Sequence, residues 1–251
     1  MNNLCLGEMI RWAVQEFSEV GSTQAIAKRM AANGAPEGTT VVARSQTSGK
    51  GRLGRNWVSP TGGLYMSFVL TPVRLSRPEI MTLVSSVAVI EGLEQVTGLE
   101  PSIRWPNDVM VRAKKIAGII ADAQTTREVI QIVVGIGVNC NAPVAESLTQ
   151  EATSIFEETG QKVEIPNLRT SILDSFSRLY VQWRKGDDLL TLWKGSIATI
   201  GKDVHVKLKT NENAFSFRAT GLEEDGGLIL ESPVEKRVLH AEDMEWLREQ
   251  G

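Results

Sequence analysis

Cysteine and histidine are scarce in this chain, with two residues of each among 251. Two cysteines cannot form the disulfide framework of a small secreted domain. Cys5 and Cys140 also lie far in sequence from His205 and His240, whereas a structural zinc site needs a full set of such ligands at short spacings. The sequence therefore predicts neither a disulfide scaffold nor a zinc site.

Long apolar runs are also missing. The longest apolar stretches, such as "VAVI" (87–90) and "VVGIGV" (133–138), are far shorter than the roughly 20 residues of a membrane-spanning helix. The opening "MNNLCLGEMI" lacks the basic start and apolar run of a signal peptide. We expect a cytoplasmic protein with no membrane partner. The formal net charge of −3 argues against general nucleic-acid binding, so we also expect no DNA partner.

One segment departs from this acidic background. "SGKGRLGRNW" (48–57) combines three glycines with three cations. Its glycines match G-x-G-x-x-G, but the helix that a dinucleotide-binding turn requires is missing, because Pro60 and further glycines follow. The segment is either a solvated surface turn or a flexible loop whose N–H groups and guanidinium groups bind a polyanion, such as a nucleotide phosphate chain.

Polar residues and glycines also mark the ends and interiors of predicted strands. "RWPND" (104–108) is typical of a turn, and Lys115 precedes a nearly continuous apolar run, where its ammonium either lies at the edge of the core or reaches water. Gly118, Gly135 and Gly137 interrupt buried strands, which indicates either β-bulges or a close approach to the backbone. No Ser/His/Asp or Cys/His pairing supplies a nucleophile with its base, so activation of a carboxylate by a nucleotide fits better than hydrolysis.

The periodicity of the chain predicts helices and strands before residue 200, and short strands alone after it. Helices are expected at 22–34, 76–98 and 167–186, and another at 187–196; Ser76 and Glu79 form a capping box for the second, with Pro78 in its first turn. Strands are expected at 39–46 and 64–70 and in three runs between 103 and 139, the last two a hairpin turning at "QTTRE" (124–128). After residue 200, short alternating strands indicate a small barrel-like module. The predicted domains are 1–200 and 201–251.

Several segments together carry a resemblance to a known family. In chain order, "GKGRLGR" (49–55), "RWPND" (104–108), "KIAGI" (115–119) and "GIGVN" (135–139) resemble the G-R-G-R-x-G-R, K-W-P-N-D, K-x-x-G-I and G-x-G-x-N motifs of biotin protein ligases. "ST" at 22–23 and "ATSI" at 152–155 match further motifs of that family. Order and spacing agree across residues 20–155. The chain is thus similar to the short form of these enzymes, which has no N-terminal DNA-binding domain.

The resemblance implies an α+β fold and a ligase reaction. Residues 1–200 would form a biotin- and ATP-binding catalytic domain, a mixed β-sheet with helices packed on one face as in class II aminoacyl-tRNA synthetases, and residues 201–251 an SH3-like β-barrel. The enzyme would activate biotin as biotinyl-5′-AMP and transfer it to a lysine of a biotin carboxyl carrier domain. A lipoate or octanoate ligase of the related fold and a biotin-binding regulatory module remain as alternatives. The acid that is used with ATP would separate the two ligases.

The family motifs also assign roles to individual residues. Catalysis would rest on Lys115, Arg52 and Asp108, with Asp108 holding Mg²⁺ or assisting the acceptor lysine. The implied biotin-binding residues are Ser22, Thr23, Gln24, Gln46, Gly49, Lys50, Gly51, Arg52, Lys115, Gly118 and Gly135. The implied ATP-binding residues are Arg52, Arg55, Trp57, Asn107, Lys115 and Asn139. Two positions depart from the family pattern: Lys50 stands in place of arginine, and Gln24 in place of asparagine.

The resemblance implies substrates and partners as well. ATP and Mg²⁺ would be co-substrates and biotin the substrate, with no tightly bound prosthetic group. The partner would be the biotin carboxyl carrier protein domain of acetyl-CoA carboxylase or a related carboxylase. The family also allows a homodimer.

Overall fold

The computed structural model describes residues 8–72, 79–126, 129–189, 194–211 and 213–250. The helices are α1 (Thr23–Ala32), α2 (Glu79–Thr97), α3 (Ile155–Thr159) and α4 (Ile165–Lys185). The strands are β1 (Ala13–Val20), β2 (Thr39–Gln46), β3 (Leu64–Leu70), β4 (Ser102–Arg104), β5 (Asp108–Val111), β6 (Lys114–Thr126), β7 (Val129–Val138), β8 (Asp203–Leu208), β9 (Ala214–Leu222), β10 (Leu228–Glu231), β11 (Lys236–Leu239) and β12 (Met244–Glu249).

Seven strands form the larger sheet, in the order β1-β2-β3-β7-β6-β5-β4. β1 pairs with β2 in parallel, while the remaining neighbours are antiparallel, so the sheet is mixed as the resemblance implied. β6 and β7 form the predicted hairpin; residues 127 and 128 of its turn lie outside the described residues. The register of this hairpin sets Gly118 beside Gly137, which places two glycines side by side in the middle of the sheet.

The main core lies between this sheet and helices α2 and α4. Successive strand residues point to opposite faces, so Phe68 faces this core whereas Val69 faces away. Phe176 of α4 packs edge-on against Phe68 with ring centroids 4.8 Å apart, and Trp12 packs on the same ring at 5.1 Å. Such aromatic pairs each contribute about 0.5–1.5 kcal/mol beyond the area that they bury. They fix α4 against the sheet.

Helix α1 departs from the expectation that all helices pack on one face. Its buried residues Ala27 and Ala31 pack with Val41, Val69 and Val133, which point away from the main core. Ser22 caps α1 as predicted, accepting a hydrogen bond from the backbone N–H of Ala25. α1 is therefore on the opposite face of the sheet from α2 and α4, with its N-terminus at the ends of β2 and β3.

Among the described residues, α2 is the one helix long and apolar enough to cross a membrane, by length and composition. It is also 67% buried inside the protein over its most apolar window, between the sheet and α4. The two helices approach each other closely at Gly92, because a Cβ there would lie 2.5 Å from the side chain of Ile172. The apolar composition of α2 is thus explained by its central position in the core.

The strands after residue 200 form a second sheet, antiparallel throughout, in the order β11-β10-β9-β8-β12. This is consistent with an SH3-like domain, although no pairing between β11 and β12 closes a barrel within the described part of the chain. The apolar core continues across both sheets. Trp105 links them, since its indole N–H donates to the carbonyl of Gly226 at 3.1 Å. The division into domains 1–200 and 201–251 stays a prediction.

Most predicted elements are confirmed. The structure contains the helices predicted at 22–34 and 167–186, and the strands at 39–46 and 64–70 coincide with β2 and β3. The helix predicted from residue 76 is described from Glu79, so its proposed cap lies outside the described residues. Of the helix predicted at 187–196, residues 190–193 lie outside the described residues, residues 187–189 are not helical, and residues 194–196 are helical. β1, a polar edge strand whose residues are mostly exposed, was not predicted.

Candidate active site

The N-terminus of α1 carries a polar network that brings several predicted residues together. The Thr23 backbone N–H donates to Gln46 Oε1 at 2.8 Å, and the Thr23 hydroxyl donates to the same oxygen at 3.1 Å. The amide nitrogen of Gln46 donates to the Ser59 hydroxyl at 2.9 Å. Ser67, on β3, hydrogen-bonds the Thr23 hydroxyl at 2.9 Å. The network is buried or half-buried, so its hydrogen-bonding groups have fixed orientations.

Gln24 extends this network along the sheet. Its amide nitrogen donates to Asp122 Oδ2 and to the carbonyl of Val133, both at 2.9 Å. Its amide oxygen lies directly above Gly135, where a Cβ would come within 2.6 Å. The glycine is therefore required by close approach, as one of the two sequence interpretations proposed. Asp122 Oδ2 also forms an ion pair with the Lys28 ammonium, 2.7 Å away.

The basic segment forms a tight loop between β2 and β3. The Gly51 N–H donates to the Arg55 carbonyl at 2.7 Å, and a short 3-10 turn runs over Arg52–Gly54 with Leu53 and Gly54 at positive φ. Gly49 cannot carry a side chain, because a Cβ would lie 2.6 Å from the backbone oxygen of Trp57.

Two cations of this loop have partners. Lys50 donates to the side-chain oxygen of Asn56 at 3.0 Å. Arg52 reaches across to the second sheet and donates to the carbonyl of Ala241 at 2.7 Å. Burial lowers the pKa of Arg52, and Asp108 partly opposes that shift. The loop is thus closed over the sheet through Arg52.

Lys115 forms an ion pair rather than extending freely into water. Its ammonium lies 2.5 Å from Asp108 Oδ1, while Arg104 donates to Asp108 Oδ2 at 2.8 Å. Burial alone would raise the pKa of the Asp108 carboxyl, but the Lys115 ammonium and the Arg104 guanidinium outweigh it and hold the pKa below its ordinary value. Asp108 is therefore an ionised group between two cations.

The indole of Trp57 covers the glycine floor beside this ion pair. The Lys115 ammonium lies 5.1 Å from the ring centroid of Trp57, within cation–π range. A Cβ at Gly137 would come within 2.6 Å of the indole nitrogen, and one at Gly118 within 3.0 Å of the ring. Gly118 is one of the predicted site residues, whereas Gly137 is not. Both glycines admit a flat ring against the sheet.

The two predicted asparagines hold strand ends in place. Asn107 donates its amide to the carbonyl of Ile119 at 3.0 Å, and Asn139 donates its amide to the carbonyl of Thr153 at 2.9 Å. Each side chain thus fixes the polypeptide around the ion pair of Lys115 and Asp108. Asn107 also lines a cavity next to the α1 N-terminus, whereas Asn139 does not.

A cavity of about 600 Å³ runs from the α1 N-terminus to the second sheet. This volume lies within the range of small-molecule sites in proteins. Of the predicted site residues, it is lined by Ser22, Gln24, Lys50, Gly51, Arg52 and Asn107. The predicted residues Thr23, Gln46, Gly49, Arg55, Trp57, Asp108, Lys115, Gly118, Gly135 and Asn139 lie outside its lining. The cavity is therefore lined by six of the sixteen predicted residues, and the other ten lie outside its lining.

The cavity wall also contains residues that sequence reasoning missed. The loops that join β9 to β10 and β11 to β12 contribute Asp225, Gly226, His240, Ala241 and Glu242. His240 and Asp225 contact each other, with Nε2 and Oδ2 2.9 Å apart. The larger sheet adds Asp122, and α1 adds Lys28. None of these residues lies in one of the quoted motifs.

A direct magnesium site at Asp108 does not fit this arrangement. Both carboxylate oxygens already face cations, and a divalent ion would have to displace Lys115 or Arg104. Within the described ranges, no group of three or more acidic, histidine or cysteine side chains is placed to hold a metal. In many enzymes Mg²⁺ is bound by phosphate oxygens of the substrate together with only one or two protein carboxylates.

Comparison with known proteins agrees with the geometry. Residues 16–139 match the sequence model of the biotin/lipoate A/B protein ligase family. The bifunctional ligase/repressor BirA of Bacillus spizizenii is 32% identical over 234 residues, which cover 90% of this chain and 71% of that protein. The biotin–[acetyl-CoA-carboxylase] ligase of Paracoccus denitrificans is 31% identical over 243 residues, 91% of this chain and 98% of that one. The structure of a biotin protein ligase from Aquifex aeolicus in complex with biotin and ATP superposes with a TM-score of 0.83 at 28% identity, over 94% of this chain and 99% of that one.

Proposed function

The chain belongs to the biotin/lipoate A/B protein ligase family, and from this membership we infer that it is an ATP-dependent biotin protein ligase. It activates biotin as biotinyl-5′-AMP and transfers the biotinyl group to a lysine of a biotin carboxyl carrier domain. In the first step a carboxylate oxygen of biotin bonds to the α-phosphorus of ATP, and pyrophosphate leaves with the electron pair of the broken P–O bond. In the second step the lysine amine bonds to the acyl carbon, AMP leaves, and the amine loses a proton.

One observation supports biotin over lipoate or octanoate. The cavity has a polar end, where Ser22 and Gln24 lie beside the fixed network of Thr23 and Gln46. Biotin ends in a urea ring that both donates and accepts hydrogen bonds, whereas the far ends of lipoate and octanoate are apolar. An apolar chain buried there would leave the Gln24 amide oxygen, which accepts no hydrogen bond from the described residues, unsatisfied at a cost of about 1–3 kcal/mol.

We assign the charge stabilisation of the first step to Lys115 and Arg52. Lys115 lies at the edge of the glycine floor, with its side chain 25% exposed, so its charge acts where water is partly excluded. Arg52 would contact the biotin carboxylate and then the phosphate by exchanging its bond to Ala241 for an anionic oxygen. The remaining ATP contacts, from Arg55, Trp57, Asn107 and Asn139, stay predictions.

Asp108 orients Lys115 and attracts the acceptor lysine in this scheme. Its lowered pKa makes it a weak general base, so its contribution is to hold a negative charge near the incoming ammonium. Mg²⁺ would enter with the phosphates of ATP, because the Asp108 oxygens already face two cations. A cytoplasmic location, the absence of DNA binding and a homodimer also remain predictions.

The test is a ligation assay with ATP, Mg²⁺, biotin and a biotin carboxyl carrier domain. We expect pyrophosphate release that depends on biotin, and addition of one biotinyl group to the carrier domain by mass spectrometry. A carrier domain with its acceptor lysine changed to arginine serves as the control. Parallel reactions with lipoate and octanoate test the alternative ligases. Transfer of either of those acids in place of biotin would contradict the assignment.

A further inference from the structure

The side-chain amide of Gln24 is held in one orientation by its neighbours. Both of its N–H groups are used, one by Asp122 Oδ2 and the other by the carbonyl of Val133. These two partners are acceptors only, so exchanging the amide oxygen and nitrogen would set oxygen against oxygen. The amide oxygen of Gln24 must therefore point away from both.

That oxygen is a buried acceptor with no donor. Gln24 is 7% exposed, and its Oε1 accepts no hydrogen bond from any of the described residues. The residue lines the cavity, and Gly135 beneath the oxygen leaves room where a side chain would collide with it. Buried acceptors without partners are rare in folded proteins and often mark a functional site. A ligand that brings an N–H group to this point would satisfy the oxygen.

We propose that Asp122 is a positioning residue for the recognition of biotin, and that it orients the Gln24 oxygen to accept a ring N–H of the urea. The proposal rests on the proposed function, which supplies the ligand. It adds to that function a residue outside the family motifs and a definite polarity for Gln24, which presents an acceptor and no donor to the ring.

Lys28 completes the arrangement by neutralising Asp122. Its ammonium lies 2.7 Å from the same Oδ2 that accepts from Gln24, and both side chains are a little over 40% exposed, at 42% and 43%. Without this cation, the carboxylate would place an uncompensated negative charge on the wall of a cavity that takes a carboxylic acid. The pair therefore fixes the amide without repelling an anionic ligand.

The arrangement gives a physical basis for choosing among carboxylic acids. An acid whose far end has no N–H group leaves the Gln24 oxygen unsatisfied when it fills the cavity. Sites built to hydrogen-bond a particular ligand group discriminate strongly against analogues that lack it, because the buried protein group is then left unpaired. Selectivity for the urea ring would thus depend on Asp122, which does not touch the ring.

The experiment compares three variants of the full-length protein by calorimetric titration with biotin. Asp122→Ala frees the amide to rotate and should weaken biotin binding roughly tenfold, about the effect of one hydrogen bond. Asp122→Asn keeps an oxygen that can accept from Gln24 and should stay within about threefold of wild type. Gln124→Ala is the matched control. Gln124 lies two residues after Asp122 on the same strand and outside the cavity lining, and its side-chain amide donates to the backbone carbonyl of Lys28. The KM for ATP should be unchanged in all three.

A second measurement tests the N–H group itself. Biotin derivatives methylated at one or the other ring nitrogen should bind more weakly than biotin to the wild-type protein, and for one of them this difference should shrink in Asp122→Ala. Equal biotin affinity in wild type and Asp122→Ala, or an equal loss in Asp122→Asn and Asp122→Ala, would overturn the proposal. Either result would leave the ligase assignment intact. A wild-type protein that binds biotin but transfers none to the carrier domain would contradict the ligase assignment and not the role of Asp122.

Discussion

Replacement of Lys115 by methionine tests the central charge of the site. Methionine keeps most of the apolar length that packs beside Trp57 and removes the ammonium, which lies 2.5 Å from Asp108 Oδ1. Asp108 keeps its second partner, Arg104, at 2.8 Å. We therefore expect a stability loss of about 1.5–3 kcal/mol, typical of one hydrogen bond to a charged group. Removing one partner of a buried ion pair, so that the other charge is left uncompensated, costs more, about 3–5 kcal/mol.

The expected effect on the reaction is larger. A preorganised charge next to the reacting phosphorus is worth about 10²–10³ in rate, or about 2.7–4 kcal/mol of barrier. Biotinyl-AMP formation should fall by that factor while the protein remains folded. The assay is single-turnover pyrophosphate release at saturating biotin and ATP, with thermal unfolding measured on the same samples.

Lys114→Met is the matched control for this measurement. It removes one positive charge from the neighbouring residue of the same strand, so it changes the overall charge equally. Its rate should stay close to that of the wild type. Near-normal pyrophosphate release from folded Lys115→Met protein would show that the ammonium merely neutralises Asp108, and the assignment of Lys115 to catalysis would have to be abandoned.

Three further perturbations follow from the geometry. Arg52→Ala should release biotinyl-AMP, seen as biotin on bystander proteins as well as on the carrier domain; labelling confined to the carrier domain would contradict this. Cys140 is fully buried and its pKa is raised from 9.0 to about 12, so in Cys5→Ser protein it should react with iodoacetamide only as fast as the chain unfolds. Because the folded-state pKa is the higher one, stability from Cys140 is complete below about pH 9 and is lost as the pH rises towards 12. Glu37→Ala should destabilise the fold by about 3–5 kcal/mol in urea titrations, because Glu37 and Arg184 are both more than nine-tenths buried and pair with each other; a loss below 1 kcal/mol would refute this.

The sequence predicted those parts of the fold that carry a local signal. α1 was predicted from its cap and periodicity, and β3 from an apolar run with two aromatic residues that follows two glycines. β1 was not predicted, because a parallel edge strand is not marked by a hairpin turn. It also buries few side chains, so it shows no apolar pattern. The turn between β5 and β6 was equally hard to anticipate, since Arg112 and Ala113 both take positive φ where glycine or asparagine is usual.

The candidate site was predictable to the extent that motifs encode it. Lys115 was identified at the edge of the apolar run, but its pairing with Asp108 depends on the β5–β6 register, which composition does not fix. None of the cavity-lining residues after residue 200 was predicted. His240 and Asp225 lie in segments whose pattern indicates only strands and turns, and their approach to the cavity is a product of tertiary packing.

The contact between Arg52 and Ala241 joins a segment that is synthesised early to one that is synthesised late. A ribosome adds residues one at a time from the N-terminus, so the polar end of the cavity at Ser22 emerges long before the wall at Glu242. Until the last strands have been synthesised, Arg52 has no Ala241 carbonyl to contact and the cavity lacks the part of its wall that includes His240 and Glu242, so a bound adenylate would be exposed to water. A nascent chain would therefore hold the motifs of the enzyme without its activity. Biotin activation would begin only after nearly the whole polypeptide has left the ribosome and folded.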